Sequence, residues 1–265
     1  MQAIVYLLCI FITIMTKIKI SAVSYTNSVP FIYGLENSEI INHIELSKDI
    51  PSVCAQKLLD NKVDIGLIPV AVIPKLNHYE IISDYCIGAI GKVKSVILAS
   101  FKPLNEIDTI LLDYHSRSSV MLTRIMAKKF WKINVKWTDT TEGFENRIKQ
   151  NEAAVIIGDK ALVAENNFPF VYDLAEEWIK NTNLPFVFAA WVTTKQLGDT
   201  FKSLFNDALH YGIEHIDAMI QTTDFSFLPE GFDVNKYFTE NIDYKLNQDK
   251  KKGMELFLNY VKEFK

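Results

Sequence analysis

Residues 64–70 read DIGLIPV, and this short segment decides the fold class of the chain. Most of its side chains are apolar, three are β-branched, and hydrophobic and polar positions do not alternate. Such a run is typical of a strand buried on both faces of a parallel sheet. Residues 51–60 predict a helix, because Pro51 stands in the first turn and Asn61 follows near the end. A helix leading into a buried strand indicates a βαβ unit and an α/β fold.

The same alternation extends outward from this segment in two blocks. In the first block, strands are predicted at 18–23, 44–47, 80–87 and 95–100, and a short helix at 30–35. In the second block, strands are predicted at 108–112, 134–137 and 153–157, and helices at 118–130 and 142–149. A strand at 186–192 returns the chain toward the first block, and helices follow at 204–222, 234–238 and 250–264.

Two blocks of this kind predict a two-lobed α/β protein with mostly parallel sheets and a helical C-terminal region. We expect residues 16–105 to form the first part of lobe 1, 106–188 to form lobe 2, and 189–265 to return to lobe 1. A single doubly wound domain is the alternative. In the two-lobed arrangement, small ligands bind between the lobes, at the carboxyl ends of strands.

The composition is that of an ordinary globular protein. Of the 265 residues, 49% are hydrophobic and 23% are charged, so the chain is neither disordered nor fibrous. The formal net charge of -4 argues against a nucleic-acid partner, which requires a basic face. Cys9, Cys54 and Cys86 form no CxxC pair, so they predict neither a zinc site nor a disulfide framework. Reduced thiols favour a cytoplasmic location.

The first fifteen residues, MQAIVYLLCIFITIM, are apolar and carry no charge. The segment lacks the basic start and small-residue cleavage site of a secretory signal, and it is short for a membrane span. We therefore expect no membrane association. Our hypothesis is that Met15 is the physiological start and that residues 1–14 are a start-site artefact or a disordered extension.

Three junctions between predicted elements are rich in small polar side chains. The first is SYTNSVPF at 24–31, where Asn27 offers both a donor and an acceptor to a ligand at a strand end. A purely local interpretation is equally open, in which Asn27 or Ser28 caps the helix that Pro30 begins.

The second junction is DYHSRSS at 113–119, directly before a predicted helix. Serine hydroxyls and free amide groups at a helix start bind a carboxylate or phosphate without a charged side chain. A plain serine cap is the alternative, and His115 alone is weak evidence for a general base.

The third junction is GKVKS at 91–95, where Ser95 begins a strand. A related pair, Gly158 and Asp159, follows the strand at 153–157, and the glycine permits close backbone approach there. The structural alternatives are that Ser95 only packs and that Asp159 only caps the next helix.

Several catalytic motifs are absent from the sequence, namely GxGxxG, the P-loop, HExxH and GxSxG. We therefore expect no metal and no cofactor. Residue chemistry alone predicts a two-lobed protein that binds a small anion.

The ordered set of segments resembles the chorismate dehydratase family of the futalosine-dependent menaquinone pathway, which has the type 2 periplasmic-binding-protein-like fold. The segments that carry the resemblance are SYTNSVPF (24–31), DIGLIPVAVIP (64–74), CIGA (86–89), GKVKSVILAS (91–100), LLDYHSRSSVMLTRI (111–125), IIGDKAL (156–162), DLAEEW (173–178) and LPFVFAAW (184–191). They cover most of residues 17–191. No single motif is diagnostic, whereas their order is fairly specific.

The resemblance implies a cytoplasmic hydro-lyase that removes water from chorismate, acting as a monomer or homodimer. It implies that Asn27 and Ser95 are catalytic, since the family's functional asparagine and serine fall in these motifs. Substrate-binding residues are then expected at Tyr25, Ser116, Ser118, Ser119, Gly158 and Asp159. Two departures are Ser118, where threonine is common, and Thr26, where the family often has an apolar residue.

Two other functions remain open on the sequence. The sister enzyme of the pathway, 1,4-dihydroxy-6-naphthoate synthase, has the same fold, but its Cys-Pro-Asn-Asp-like first motif has no counterpart here. A non-catalytic solute-binding protein for a small organic anion would need a leader sequence, which the segment around Cys9 does not resemble.

Overall fold

The computed structural model describes residues 17–264. The hypothesis about Met15 and residues 1–14, and the prediction for Cys9, lie outside the described residues. Within the described part of the chain, no helix is long and apolar enough to cross a membrane.

Eleven strands in the described residues form two sheets. The strands are β1 (Ile18–Val23), β2 (Ile44–Asp49), β3 (Ile65–Pro69), β4 (Glu80–Ala89), β5 (Val96–Ser100), β6 (Thr109–Leu112), β7 (Lys136–Asp139), β8 (Glu152–Ile157), β9 (Phe170–Asp173), β10 (Phe186–Thr193) and β11 (Asp243–Lys245). The first sheet has the order β11-β4-β10-β3-β1-β2, and the second has the order β7-β6-β8-β5-β9. The two-lobed α/β architecture is therefore confirmed, and the single doubly wound domain is not what forms.

The α-helices of the described residues pack on the faces of these sheets. They are α1 (Val29–Glu36), α2 (Pro51–Leu59), α3 (Ser118–Ile125), α4 (Asp159–Ala164), α5 (Leu174–Thr182), α6 (Asp199–Glu214), α7 (Ile216–Thr222), α8 (Val234–Lys236) and α9 (Gln248–Lys262). Short 3₁₀ turns connect several elements, and π-helical turns continue α3 and α8 over Met126–Trp131 and Tyr237–Asn241.

Both sheets are mixed, which corrects the expectation of mostly parallel sheets. In the first sheet, β1 is parallel to β2 and β3, whereas β10 is antiparallel to β3 and β4. In the second sheet, β6 is parallel to β7 and β8, whereas β5 is antiparallel to β8 and β9. The reason is that β5 and β10 each enter a lobe by crossing from the other one. They therefore run against the strands that the βαβ units align.

The chain changes sheets between Ala89 and Val96, and returns between Asp173 and Phe186. The sequence placed these changes later, at 105/106 and 188/189. Buried strands such as β5 and β10 are apolar except for their last residues, Ser100 and Thr193, and every residue of both is buried. Their pattern gives no information about which of two sheets they join.

One predicted helix is not present in the structure. Residues 142–149 contain only the 3₁₀ turn Phe144–Arg147, which follows Gly143 in the left-handed backbone region. In addition, the predicted helix at 204–222 is two helices that meet at His215. Strands β9 and β11 and helix α5 were not predicted.

Helix α1, which follows the Asn27 junction, is fixed tightly against α6. A Cβ atom on Gly34 would collide with the Ala208 carbonyl, and one on Gly212 would collide with the Pro30 carbonyl. The backbones of α1 and α6 are therefore in direct contact, with a glycine on each helix, and any larger residue at either position would push the helices apart. This packing holds the start of α1 rigidly at the edge of the first sheet.

Candidate functional site

A cavity lies between the lobes, and it contains seven of the eight predicted site residues. Its volume is about 480 Å³ including the solvent at its mouth, and about 50 Å³ of this space admits the centre of a water molecule, so the cavity is narrow. The lining comes from both lobes: Val23, Tyr25, Asn27, Pro51, Pro69, Ile87, Val93, Ser95, Val96, Ser116, Ser118, Ser119, Ile157, Gly158, Phe188 and Ala189. The eighth predicted residue, Asp159, is outside the lining.

Asn27 lies in a buried 3₁₀ turn, Thr26–Ser28, between β1 and α1. No side-chain cap forms at the start of α1, so the local capping alternative does not hold for Asn27 or Ser28. Instead, the Ser28 hydroxyl donates to Asn27 Oδ1 at 3.0 Å. Because this bond occupies the carbonyl oxygen, the Nδ2 donor of Asn27 is left for a ligand in the cavity.

Ser95 is fully buried on the loop that carries the chain from the first sheet into β5. Among the described residues, its hydroxyl makes one long contact of 3.4 Å to the Val93 carbonyl, and the Tyr237 hydroxyl lies near it. Its own carbonyl accepts from the Gly158 amide at 2.8 Å, which ties this loop to the end of β8. The Ser95 hydroxyl is thus held at the cavity wall with little competition for its proton.

The three serines at the start of α3 have different partners. Ser116 Oγ accepts from the Ser119 amide at 3.1 Å, so Ser116 does cap the helix. Ser118 Oγ accepts from the Ala71 amide at 3.2 Å and donates to the Phe188 carbonyl at 2.9 Å, both in the other lobe. The Ser119 hydroxyl has no protein partner among residues 17–264. Ser119 is consequently the one whose side chain is best placed for a ligand.

Tyr25 belongs to the first lobe but is fixed by the second. Its hydroxyl lies 2.6 Å from His115 Nδ1, and its ring covers Gly158. Burial raises the pKa of Tyr25, and the nearby carboxylates of Asp113 and Asp159 raise it further. Burial also lowers the pKa of His115. The phenol therefore stays protonated near neutral pH, as a hydrogen-bonding group that faces the cavity.

Asp159 joins the lobes from behind the cavity wall. Its Oδ1 atom accepts from the Thr26 amide at 3.0 Å, directly beside Asn27. Burial raises the pKa of the Asp159 carboxyl, whereas its contacts with Thr26 lower it. The capping alternative for Asp159 does not hold, because no side-chain cap forms at the start of α4, and the carboxylate instead makes a contact across the lobe boundary.

Sequence reasoning missed three residues around the cavity. Asp113 is buried at the end of β6, where its oxygens accept from the His115 and Ile157 amides at 2.8 and 3.3 Å. Tyr244, in β11, donates to the Asn27 carbonyl at 3.0 Å. Tyr237 is fully buried near Ser95. The sequence contains a pattern that could have identified Asp113, because this aspartate follows a predicted strand directly and precedes a serine-rich turn. No sequence pattern could have identified Tyr237 and Tyr244, because no motif relates them to the junctions in the first half of the chain.

The cavity is lined by neutral side chains. No lysine or arginine side chain is among its lining residues. Within the described range, no three histidine, cysteine, aspartate or glutamate side chains form a cluster that could hold a metal ion. The available side-chain donors are the Asn27 amide and the Ser95 and Ser119 hydroxyls, whereas the Ser119 backbone amide is taken by Ser116 Oγ. Preorganised donors of this type suit an anionic ligand in a site sheltered from water.

Two mixed sheets linked by crossing strands, with a ligand-sized cavity between them, define a type 2 periplasmic-binding-protein-like protein. Solved structures with this fold share little sequence with the chain. Protein AF1704 from Archaeoglobus fulgidus has a TM-score of 0.72 at 10% identity, over 94% of this chain and 97% of that one. An ABC transporter protein from Parabacteroides distasonis has a TM-score of 0.63 at 18% identity, over 94% and 93%. The alkanesulfonate-binding protein SsuA from Xanthomonas axonopodis pv. citri, bound to MOPS, has a TM-score of 0.58 at 11% identity, over 92% of this chain and 93% of that one.

The match to a sequence family is more specific than the similarity of fold. A family model described as menaquinone biosynthesis matches residues 18–263. The chain belongs to this menaquinone biosynthesis family, and its role therefore lies in that pathway.

Proposed function

We propose that this protein is a chorismate dehydratase, which converts chorismate to 3-[(1-carboxyvinyl)oxy]benzoate and water. The observation that carries the proposal is the convergence of Asn27, Ser95 and Ser119 on one enclosed cavity. These side chains come from three junctions that are far apart in the sequence, and each has hydrogen-bonding capacity left for a ligand. Membership of the menaquinone biosynthesis family supports the pathway.

The chemistry of the substrate matches such a site. Chorismate has two carboxylates, and its ring becomes aromatic when one ring C–H bond breaks and the hydroxyl on the adjacent carbon leaves. The electron pair of the broken C–H bond enters the ring, and the hydroxyl departs with a proton as water. Because aromatisation drives this elimination, the protein must mainly orient the substrate and exclude other rearrangements. Strong acids and metal ions are not needed for that task.

Each group then has a role in this proposal. The Ser119 hydroxyl holds one carboxylate at the start of α3, since a helix start favours an anion. The Asn27 amide donates to the ring substituent or the departing hydroxyl, and the Ser95 hydroxyl lies near the reacting carbons. A carboxylate of the substrate itself accepts the ring proton, because Tyr25 stays protonated. Lobe closure keeps bulk water away from the reaction.

The proposal is tested by incubating the purified protein with chorismate and separating the products by liquid chromatography with mass detection. We expect an enzyme-dependent product that has lost one water and retains the carboxyvinyl ether. A protein-free sample measures the spontaneous decay of chorismate. The Asn259→Ala variant, which changes an exposed asparagine on α9, serves as the control for Asn27→Ala.

Two results would replace the proposal by another function. Calorimetric binding of chorismate without turnover would indicate a solute-binding protein. Release of 1,4-dihydroxy-6-naphthoate from a cyclic futalosine derivative, with no turnover of chorismate, would indicate the sister enzyme of the pathway.

A further inference from the structure

The last strand of the first sheet reaches the candidate site from the far end of the sequence. Tyr244, in β11, is buried, and its hydroxyl donates to the backbone carbonyl of Asn27 at 3.0 Å. The two residues are 217 positions apart in the chain. This bond satisfies a carbonyl that sits in a buried turn, where it would otherwise have no partner from regular secondary structure.

The Tyr244 ring has a single well-defined position. Lys250 of α9 is fully buried, and its ammonium donates to the carbonyls of Asp243 and Lys245 at 2.6 and 2.7 Å, on either side of Tyr244. The same ammonium is paired with the Asp243 carboxylate. On the opposite side, Phe31 meets the tyrosine ring edge to face, with centroids 5.1 Å apart. The hydroxyl is therefore held by its surroundings rather than by the bond to Asn27.

The turn that carries Asn27 depends on such support. It is a single 3₁₀ turn of three residues, and its side chains do not cap α1. Two hydrogen bonds fix the orientation of Asn27. The Ser28 hydroxyl donates to the side-chain oxygen at 3.0 Å, and the Tyr244 hydroxyl donates to the backbone carbonyl. Without the tyrosine hydroxyl, the buried Asn27 carbonyl loses its partner. Among the described residues, the peptide plane after Asn27 is then held from one side, by the Ser28 amide that donates to the Tyr25 carbonyl at 2.9 Å.

We infer that Tyr244 is a positioning residue for Asn27, which fixes the Asn27 amide toward the ligand from a strand 217 residues away. The inference rests on the proposed function for its effect on rate, and on geometry alone for its effect on Asn27. It assigns the C-terminal strand and its Lys250 anchor to the construction of the active site.

The test uses Tyr244→Phe, which removes one hydroxyl and retains the ring. The matched control is Tyr85→Phe on the neighbouring strand β4, where the hydroxyl contacts His210 at 3.1 Å at the surface. The Asn27 side-chain amide is observed by nuclear magnetic resonance on asparagine-labelled protein and assigned by its loss in Asn27→Ala. We expect its signals to move in Tyr244→Phe and not in Tyr85→Phe.

The kinetic measurement separates positioning from stability. For chorismate we expect Tyr244→Phe to lower kcat about five- to tenfold, as the loss of one hydrogen bond would do, with KM changed less than about twofold. Tyr85→Phe should retain the rate of the unmodified protein. Unmoved Asn27 amide signals, or an unchanged kcat in an active enzyme, would overturn the inference. Failure of the unmodified protein to dehydrate chorismate would overturn the proposed function instead, and the resonance measurement would still decide the role of Tyr244.

Discussion

At the scale of single residues, Asn27 combines a buried position with a free donor. Its exposed fraction is 9%, and among the described residues its two oxygens accept hydrogen bonds, from the Ser28 and Tyr244 hydroxyls. Replacement by alanine removes the Nδ2 donor and one weak bond from Ser28. We therefore expect kcat for chorismate to fall about 100- to 1000-fold, as when a preorganised donor is lost. The free energy of unfolding should change by less than about 1 kcal/mol.

Steady-state kinetics and urea unfolding of Asn27→Ala and Asn259→Ala check this prediction. A rate for Asn27→Ala equal to that of the control would remove Asn27 from the site.

Gly158 is required by two independent features of its surroundings. Its φ is +65°, and a Cβ atom there would lie 2.8 Å from two ring carbons of Tyr25. Gly158→Ala therefore strains the backbone and pushes Tyr25 away from His115. We expect KM for chorismate to rise at least about tenfold, because the lobes no longer close on the ligand.

Gly198→Ala is the matched control, since nothing lies within 4 Å of a Cβ atom at that position. Equal KM values for the two variants would show that the contact of Tyr25 with Gly158 has no part in binding.

Asp113 makes the stability of the protein depend on pH, with a contribution that decreases as the pH rises. Burial raises the pKa of this carboxyl from 3.8 to about 6, although two backbone amides lower it. Between these values the folded state retains a proton that the unfolded state has released. The contribution of Asp113 to the free energy of unfolding is therefore largest below pH 4 and falls as the pH rises to 6, by up to about 3 kcal/mol.

Urea unfolding of the unmodified protein and of Asp113→Asn at pH 4, 5, 6 and 7 measures this effect. The stability of the unmodified protein relative to the variant should decrease with increasing pH across this range. A pH-independent difference would show that Asp113 does not titrate there.

At the scale of secondary-structure elements, the sequence located the strands better than their partners. The apolar runs at 64–70 and 153–157 correspond to β3 and β8, because burial on both faces leaves a clear compositional record. The composition of β5 and β10 does not indicate their direction or the sheet that each joins, because strand pairing is decided by contacts between distant segments. The predicted helix at 142–149 failed for a local reason, because Gly143 takes the left-handed conformation that ends a helix rather than extends one.

The same limit applied to the candidate site. The sequence predicted Asn27 as a cavity residue, although a helix cap was an equally open interpretation of the same junction. Tyr244 was not predictable, since its contact depends on β11 pairing with β4 and on the placement of Lys250. Local pattern identifies which side chains are available to a ligand. Only the tertiary structure identifies what holds them.

The start of α3 separates Ser118, which joins the lobes, from Ser119, which lines the cavity. Ser118→Ala leaves the Ala71 amide and the Phe188 carbonyl without their partner, so we expect a loss of about 1–3 kcal/mol in the free energy of unfolding. Ser119→Ala removes a hydroxyl without a protein partner among the described residues. It should instead raise KM about fivefold or more, with stability nearly unchanged.

Ser203→Ala, on the exposed face of α6, is the control for both variants. The opposite assignment, with Ser119→Ala destabilised and Ser118→Ala impaired only in binding, would contradict the division of roles at this helix.

At the scale of the whole molecule, the cavity between the lobes is narrow, so we expect the lobes to move apart when a ligand enters. The space open to water centres, about 50 Å³, accommodates only a few water molecules. The closed state is held by polar contacts across the boundary, including the bond from the Thr26 amide to Asp159 at 3.0 Å. Closing thus brings the Asn27 turn of one lobe against the end of β8 in the other. Because closure and site assembly share these contacts, a variant that weakens them should bind less tightly without losing its fold.

Asp159→Ala tests this coupling, because it removes the acceptor for Thr26 while leaving every lining side chain in place. We expect KM for chorismate to rise about tenfold, since the free energy of one charge-assisted hydrogen bond no longer favours the closed state. Small-angle X-ray scattering should show a larger radius of gyration for the variant than for the unmodified protein, and saturating chorismate should reduce the difference. Asp207→Ala, an exposed position on α6, is expected to match the unmodified protein in both measurements. If the Asp159→Ala variant keeps the original KM and radius of gyration, the bond to Thr26 does not control closure, and the cavity must be gated by other contacts such as the Tyr25 ring on Gly158.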